Sequence, residues 1–206
     1  LFKYFDYNVF YDPSETTVAT LFRKSVFISG FTFRRSLAVP YLTDIFDGTL
    51  LYQIYLLSEI CINYSSAYCT IPLTVQSANR REVPMFGSSE SEKSLYEPGV
   101  ISLDNSINFM KGFFKISNFM DLKYNLNLTN KIRKDISKYS YPVLSIQRPK
   151  GIKIFLNYVS RLRNEIGIGN TFYFYVYTIS LLIFGTKICN NVIIFLKKII
   201  GRTPHL

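Results

Sequence analysis

A chain of 206 residues that is 48% apolar can build one large domain or one and a half small ones, and it is too apolar for general disorder. Its net charge of +10 is lopsided: residues 1–130 hold 11 Lys/Arg against 12 Asp/Glu, and residues 131–206 hold 13 against 2. The last third therefore expects a polyanion, either membrane lipid or nucleic acid. His205 is the only histidine, which argues against a His-dependent triad, a zinc site or a His general base.

The three cysteines (Cys61, Cys69, Cys189) lack CxxC spacing and read as reduced, partly buried thiols of a cytosolic protein. No secretory signal pattern opens the chain. Leu1 in place of Met, with mid-protein-like residues after it, points to the C-terminal part of a longer protein.

Residues 1–12 are aromatic and read as the tail of a helix or an edge strand, closed by Asp12-Pro13-Ser14. The following run through Ala38 is β-branched and aromatic. Ser29-Gly30 interrupts it, and Gly30 suits a left-handed backbone or a close backbone approach. From Asp44 the pattern turns helical, with Leu50, Ile54, Leu57 and Cys61 on one face. Asp44 and Asp47 fall at the expected N-terminus, where carboxylates are favoured. Residues 67–75 read as a short buried strand limited by Pro72.

Residues 76–99 read as a long polar loop in which Glu90, Glu92 and Lys93 form a solvated face. Helices are predicted over 104–120, 128–140, 150–166, 171–184 and 187–200. Asp104 is the expected N-cap of the first, and Gly151, Gly167, Gly185 and Gly201 punctuate the later ones. The apolar run 171–186 falls short of the ~20 residues a bilayer span needs, so a buried or interfacial helix is expected.

Three stretches carry a resemblance: "ISGFTFRRSLA" (28–38), "FDGTLLYQIYLL" (46–57) and "AYCTIPLTV" (67–75). In this order and spacing the chain resembles the family 2 glycosyltransferases that build bacterial capsule, lipopolysaccharide or exopolysaccharide. The tail from Phe155 is similar to their C-terminal helical region. The family opens a helix with Glu-Asp, followed by Leu and then Arg at three-residue steps. Asp47 falls on that Asp, Leu50 on the Leu and Gln53 on the Arg, while Phe46 replaces the Glu.

The resemblance implies an α/β fold. Residues 1–100 would be the second half of a GT-A nucleotide-sugar transferase domain, on the acceptor side. Residues 101–206 would be a basic, mostly helical C-terminal region. It implies Asp47 as the general base, with Gly30, Arg34, Arg35 and Gln53 toward the substrates. It also implies a nucleotide-sugar donor, a lipid-linked or growing glycan as acceptor, and Mg²⁺ or Mn²⁺ in the full-length enzyme. The Asp-x-Asp that would hold that ion is missing, so no metal ligand is expected in this chain. The expected place is the cytoplasm, peripheral on the inner face of the plasma membrane.

Read from the residues alone, Asp47 is as well explained by helix capping as by proton transfer. Arg34 and Arg35 fit forked contacts to phosphate or solvated loop charges. The basic tail fits a non-catalytic module on anionic membrane or nucleic acid. Against nucleic acid, its Lys and Arg punctuate apolar helices without forming a stripe. A hairpin entering the membrane over 171–196 is a third reading.

Overall fold

The computed structural model describes residues 5–26, 30–71 and 86–200. Among them the α/β expectation is overturned. Strand is confined to β1 (Val9–Tyr11) and β2 (Ser66–Tyr68), which pair antiparallel as a two-stranded ribbon with Phe10 opposite Ala67; no parallel or doubly wound sheet is present.

The β-branched run after Ser14 shows why. The Ser14 hydroxyl accepts the Thr17 N–H at 3.1 Å and starts α1 (Glu15–Phe22). Val18 and Phe22, four apart, then lie fully buried on one side of it. A cap and a helical stripe outweigh the strand preference of Thr16, Thr17 and Val18. Downstream, α2 (Arg35–Ala38) is a single turn.

The next helix, α3 (Tyr52–Asn63), begins eight residues later than the sequence suggested, and its first turn holds no acid. Its N-cap, Leu51, makes no side-chain capping bond. Asp44 and Asp47 instead belong to an irregular turn ahead of it. Of the expected strand 67–75, only its first residues pair, in β2; residues 72–75 lie outside the described set. So do 76–85 of the polar loop, whose remainder forms a one-turn helix, α4 (Glu90–Lys93).

The long helix α5 (Leu103–Tyr124) is capped by Ser102, not Asp104: the Ser102 hydroxyl accepts the Asn105 N–H. It ends on Asn125 in the left-handed conformation. The carboxylate of Asp121 then starts α6 (Leu128–Lys138) by accepting the N–H of Leu128 at 2.6 Å and of Thr129 at 3.0 Å.

Contacts divide the chain between Ile132 and Arg133. In the first unit α1 packs on α3, with Phe46, Leu51, Ile54 and Ile107 fully buried. The second holds α7 (Tyr141–Gln147), α8 (Ile152–Arg161), a π-helical turn (Leu162–Ile166) and α9 (Phe172–Ile200). Leu144, Phe155, Tyr158, Leu162, Phe174 and Leu181 form its core.

Gly185 splits α9 at the place the sequence marked, with a non-helical φ of 69° and ψ of 174°. The break releases carbonyls that a continuous helix would satisfy. Arg148 answers them: its Nε donates to the Leu181 carbonyl at 2.8 Å and its Nη2 to the Leu182 carbonyl at 3.2 Å.

Candidate functional site

The turn 44–50 is built from its own side chains. Thr49 Oγ1 donates to the Phe46 carbonyl at 2.7 Å and accepts the Leu51 N–H at 3.3 Å. Phe46 is fully buried between Tyr55 and Phe119, with ring centroids at 4.5 and 5.2 Å. Lys115 Nζ donates to the Ile45 carbonyl at 2.6 Å and lies over the Phe46 ring. From below, the buried Tyr96 hydroxyl donates to the Thr49 carbonyl at 3.2 Å. Burial and the nearby Glu92 charge push that phenol up to about 12.

So anchored, the turn holds Leu50 at φ 62°, a left-handed conformation that costs a branched residue ~1–2 kcal/mol. Two positions earlier, Gly48 takes φ 77° and passes against α4. A Cβ there would stand 2.3 Å from the Ser91 carbonyl oxygen, so only glycine fits.

These elements enclose an open groove of about 350 Å³ lined by Phe46, Asp47, Gly48, Leu50, Tyr52, Gln53, Ser91 and Glu92. Asp47 is exposed, and among the described residues its carboxylate makes no hydrogen bond or ion pair. With α3 starting at Tyr52, the capping explanation of Asp47 lapses. Glu92, read from the sequence as solvated, faces the same groove while its Oε2 accepts the Gly87 N–H at 2.8 Å.

Gln53 shares the groove with Asp47, yet its amide is spent on the fold. Nε2 donates to the carbonyls of Val26 at 2.9 Å and Leu50 at 3.3 Å. The other proposed substrate residues do not line the groove. Arg34 and Arg35 are exposed at the start of α2, and their side chains make no hydrogen bond or ion pair among the described residues. At Gly30 the space a Cβ would occupy is open, with nothing within 4 Å of it.

Sequence reasoning missed Glu59, whose side chain is fully buried in the middle of α3. Lys123 Nζ donates to its Oε1 at 2.7 Å and the Tyr124 hydroxyl to its Oε2 at 2.6 Å. Burial alone would lower the Lys123 ammonium, but the bond and charge of Glu59 reverse this and raise it. Burial raises Tyr55 above its ordinary value too, reinforced by Glu59. The signal was legible: "YQIYLLSEICI" is apolar around its whole circumference, so a lone carboxylate within it must be buried and paired. With both oxygens occupied, Glu59 is a structural anchor.

The divalent ion that the resemblance implies finds no holder here: among the described residues no group of three His, Cys, Asp or Glu is placed to ligate a metal. No known protein family, curated protein or solved structure compared with the chain matches it.

Proposed function

We propose that this chain carries the acceptor side of a glycosyl transfer, with Asp47 as general base. The observation that supports it best is an unengaged carboxylate on a rigid turn at the rim of an open groove, within the segment "FDGTLLYQ" that resembles the family 2 glycosyltransferases. A hydroxyl of a lipid-linked or growing glycan enters the groove and gives its proton to Asp47. The oxygen attacks the anomeric carbon of a nucleotide-activated sugar; the new C–O bond forms as the bond to the nucleoside diphosphate breaks. An exposed carboxylate becomes an effective base once bound substrate strips its water.

Glu92 orients the acceptor by accepting hydrogen bonds from its neighbouring hydroxyls. Gln53 acts one step removed, holding the backbone at Leu50 and so the turn that aims Asp47. The donor diphosphate and any ion on it are held by residues other than those of the groove, and no step here runs through a metal. The reaction takes place at the cytoplasmic face of a membrane, where a lipid-linked acceptor is presented.

The test is Asp47→Asn beside Asp44→Asn in the enzyme as cells make it. Both residues are exposed on the same turn, so both variants should fold. Turnover should fall by about 10²–10⁴ for Asp47→Asn and stay near normal for Asp44→Asn. Equal activities would overturn the assignment.

A further inference from the structure

The strongest unexplained surface is that of α9. Within Phe172–Leu196 the most apolar 18-residue stretch has a mean hydropathy of 1.9, yet only 11% of it is buried. Phe172, Val176, Ile179 and Ile183 recur at helical spacing ahead of Gly185 with exposures reaching 77%. Beyond it, Ile188, Val192, Phe195 and Ile199 continue a second exposed stripe. An apolar surface this long is a mark of an interaction site.

Charge tells which partner. Beside the break lies an open groove of about 460 Å³ lined by Arg148, Pro149, Thr186, Lys187 and Asn190. It carries two cations and no acid, and the buried Thr186 hydroxyl has no hydrogen-bond partner there. Lys150 is exposed two residues from Arg148, and residues 131–206 carry a charge of +11. Apolar stripes flanking a cationic groove match acyl chains flanking a phosphate.

We propose that α9 lies along an anionic phospholipid surface, its exposed apolar side chains bedded among the acyl chains and a lipid phosphate seated in the Arg148–Thr186–Lys187 groove. The break decides between lying and crossing. Phe172–Phe184 and Thr186–Ile200 are each only ~20–22 Å long, against the ~30 Å of a hydrocarbon core. A continuous crossing would also bring Arg148 and Lys187 to mid-bilayer, where cations are costly. At the interface both cations meet phosphates, and Lys/Arg near anionic lipid each strengthen binding about fivefold. The proposal rests on residues 131–206 and stands or falls independently of Asp47.

The experiment is flotation of the full chain with phosphatidylcholine vesicles and with equimolar phosphatidylcholine and phosphatidylglycerol, at low and high salt. Binding should be at least tenfold stronger to the anionic vesicles and should weaken with salt. Ile183→Ser/Ile188→Ser should reduce it at least tenfold with an unchanged circular dichroism spectrum, because both side chains already face solvent. Lys187→Glu should weaken binding to anionic vesicles by about tenfold or more, with little change for neutral ones. Equal affinity for both vesicles, or variants that bind like wild type, would overturn the proposal. So would titration by inorganic phosphate without vesicle binding. Retention in cell membranes after carbonate washing, with the C-terminus protected from cytoplasmic protease, would show crossing and overturn it as well.

Discussion

Gly48 passes so close to Ser91 that a single methyl group on its α-carbon would stand 2.3 Å from the Ser91 carbonyl oxygen. The opposing atom is backbone, so it cannot swing aside. Gly48→Ala should therefore cost about 2 kcal/mol or more, combining a left-handed backbone with an overpacked contact. Gly30→Ala, with open space around it, should stay within about 0.5 kcal/mol of wild type. Urea unfolding of the two variants checks the contrast; similar losses would contradict the packing described for the turn.

Glu92 lines the groove from α4, which packs against the Asp47 turn at Gly48. Glu92→Gln should raise the acceptor KM several-fold more than the donor KM, since a neutral amide still fills the position but accepts hydrogen bonds less strongly. Initial-rate kinetics with each substrate varied in turn measure the ratio. A larger rise on the donor side would remove Glu92 from acceptor binding.

Lys123→Met leaves the buried Glu59 carboxylate without its cation. Lys123 is itself partly exposed, so the loss should fall below that of a fully buried pair, at about 2 kcal/mol. Adding Glu59→Leu to Lys123→Met should recover part of that loss, because the charge needing a partner is gone. A double mutant as unstable as the sum of the two single ones would show no coupling between the residues.

Alkaline pH should weaken the first unit. Tyr41 is raised to about 12 by burial and by its neighbour Tyr64, Tyr96 is likewise pushed up to about 12, and Lys123 is raised as well. In the unfolded chain these phenols ionise near 10, so between about pH 10 and 12 the unfolded state binds fewer protons than the folded one. Stability then falls as pH rises through that window. Tyr96→Phe should flatten the slope of the urea midpoint against pH, while an unchanged slope would exclude Tyr96 as a contributor.

Arg148→Met should cost about 1–3 kcal/mol, leaving two carbonyls of α9 unanswered. Arg148→Lys should recover only part of this, because an ammonium lacks the fork that reaches both oxygens. Denaturant unfolding followed on a probe attached to α9 reads the difference; a silent Arg148→Met would mean that water serves those carbonyls equally well.

Most helices from residue 103 onward were legible because long apolar periodicity and punctuating glycines agree there, and Gly185 was marked as a boundary, but α7 (Tyr141–Gln147) was missed between two expected helices. The first hundred residues misled for identifiable reasons. Thr16-Thr17-Val18 favours a strand in isolation, but Ser14 and the Val18–Phe22 stripe make a helix. The apolar spacing that begins at Leu50 suggested a helix starting before it, whereas Leu50 itself takes a left-handed backbone that ends any such extension. Asp47 and Gln53 were singled out through the resemblance to the family 2 glycosyltransferases, and they do share a groove. Glu92 enters it across 39 residues of chain, a proximity no local pattern carries.

A helix broken once has four poles where an intact one has two. Across α9 the peptide dipoles of Phe172–Phe184 end in partial negative charge at the break, and those of Thr186–Ile200 begin there in partial positive charge. Left alone, the two would nearly cancel. Arg148 takes up the negative end by binding the carbonyls of Leu181 and Leu182, so the positive end at Thr186 is no longer offset. A long apolar helix, whose ends alone would normally carry polarity, thus gains a local excess of positive potential at its middle.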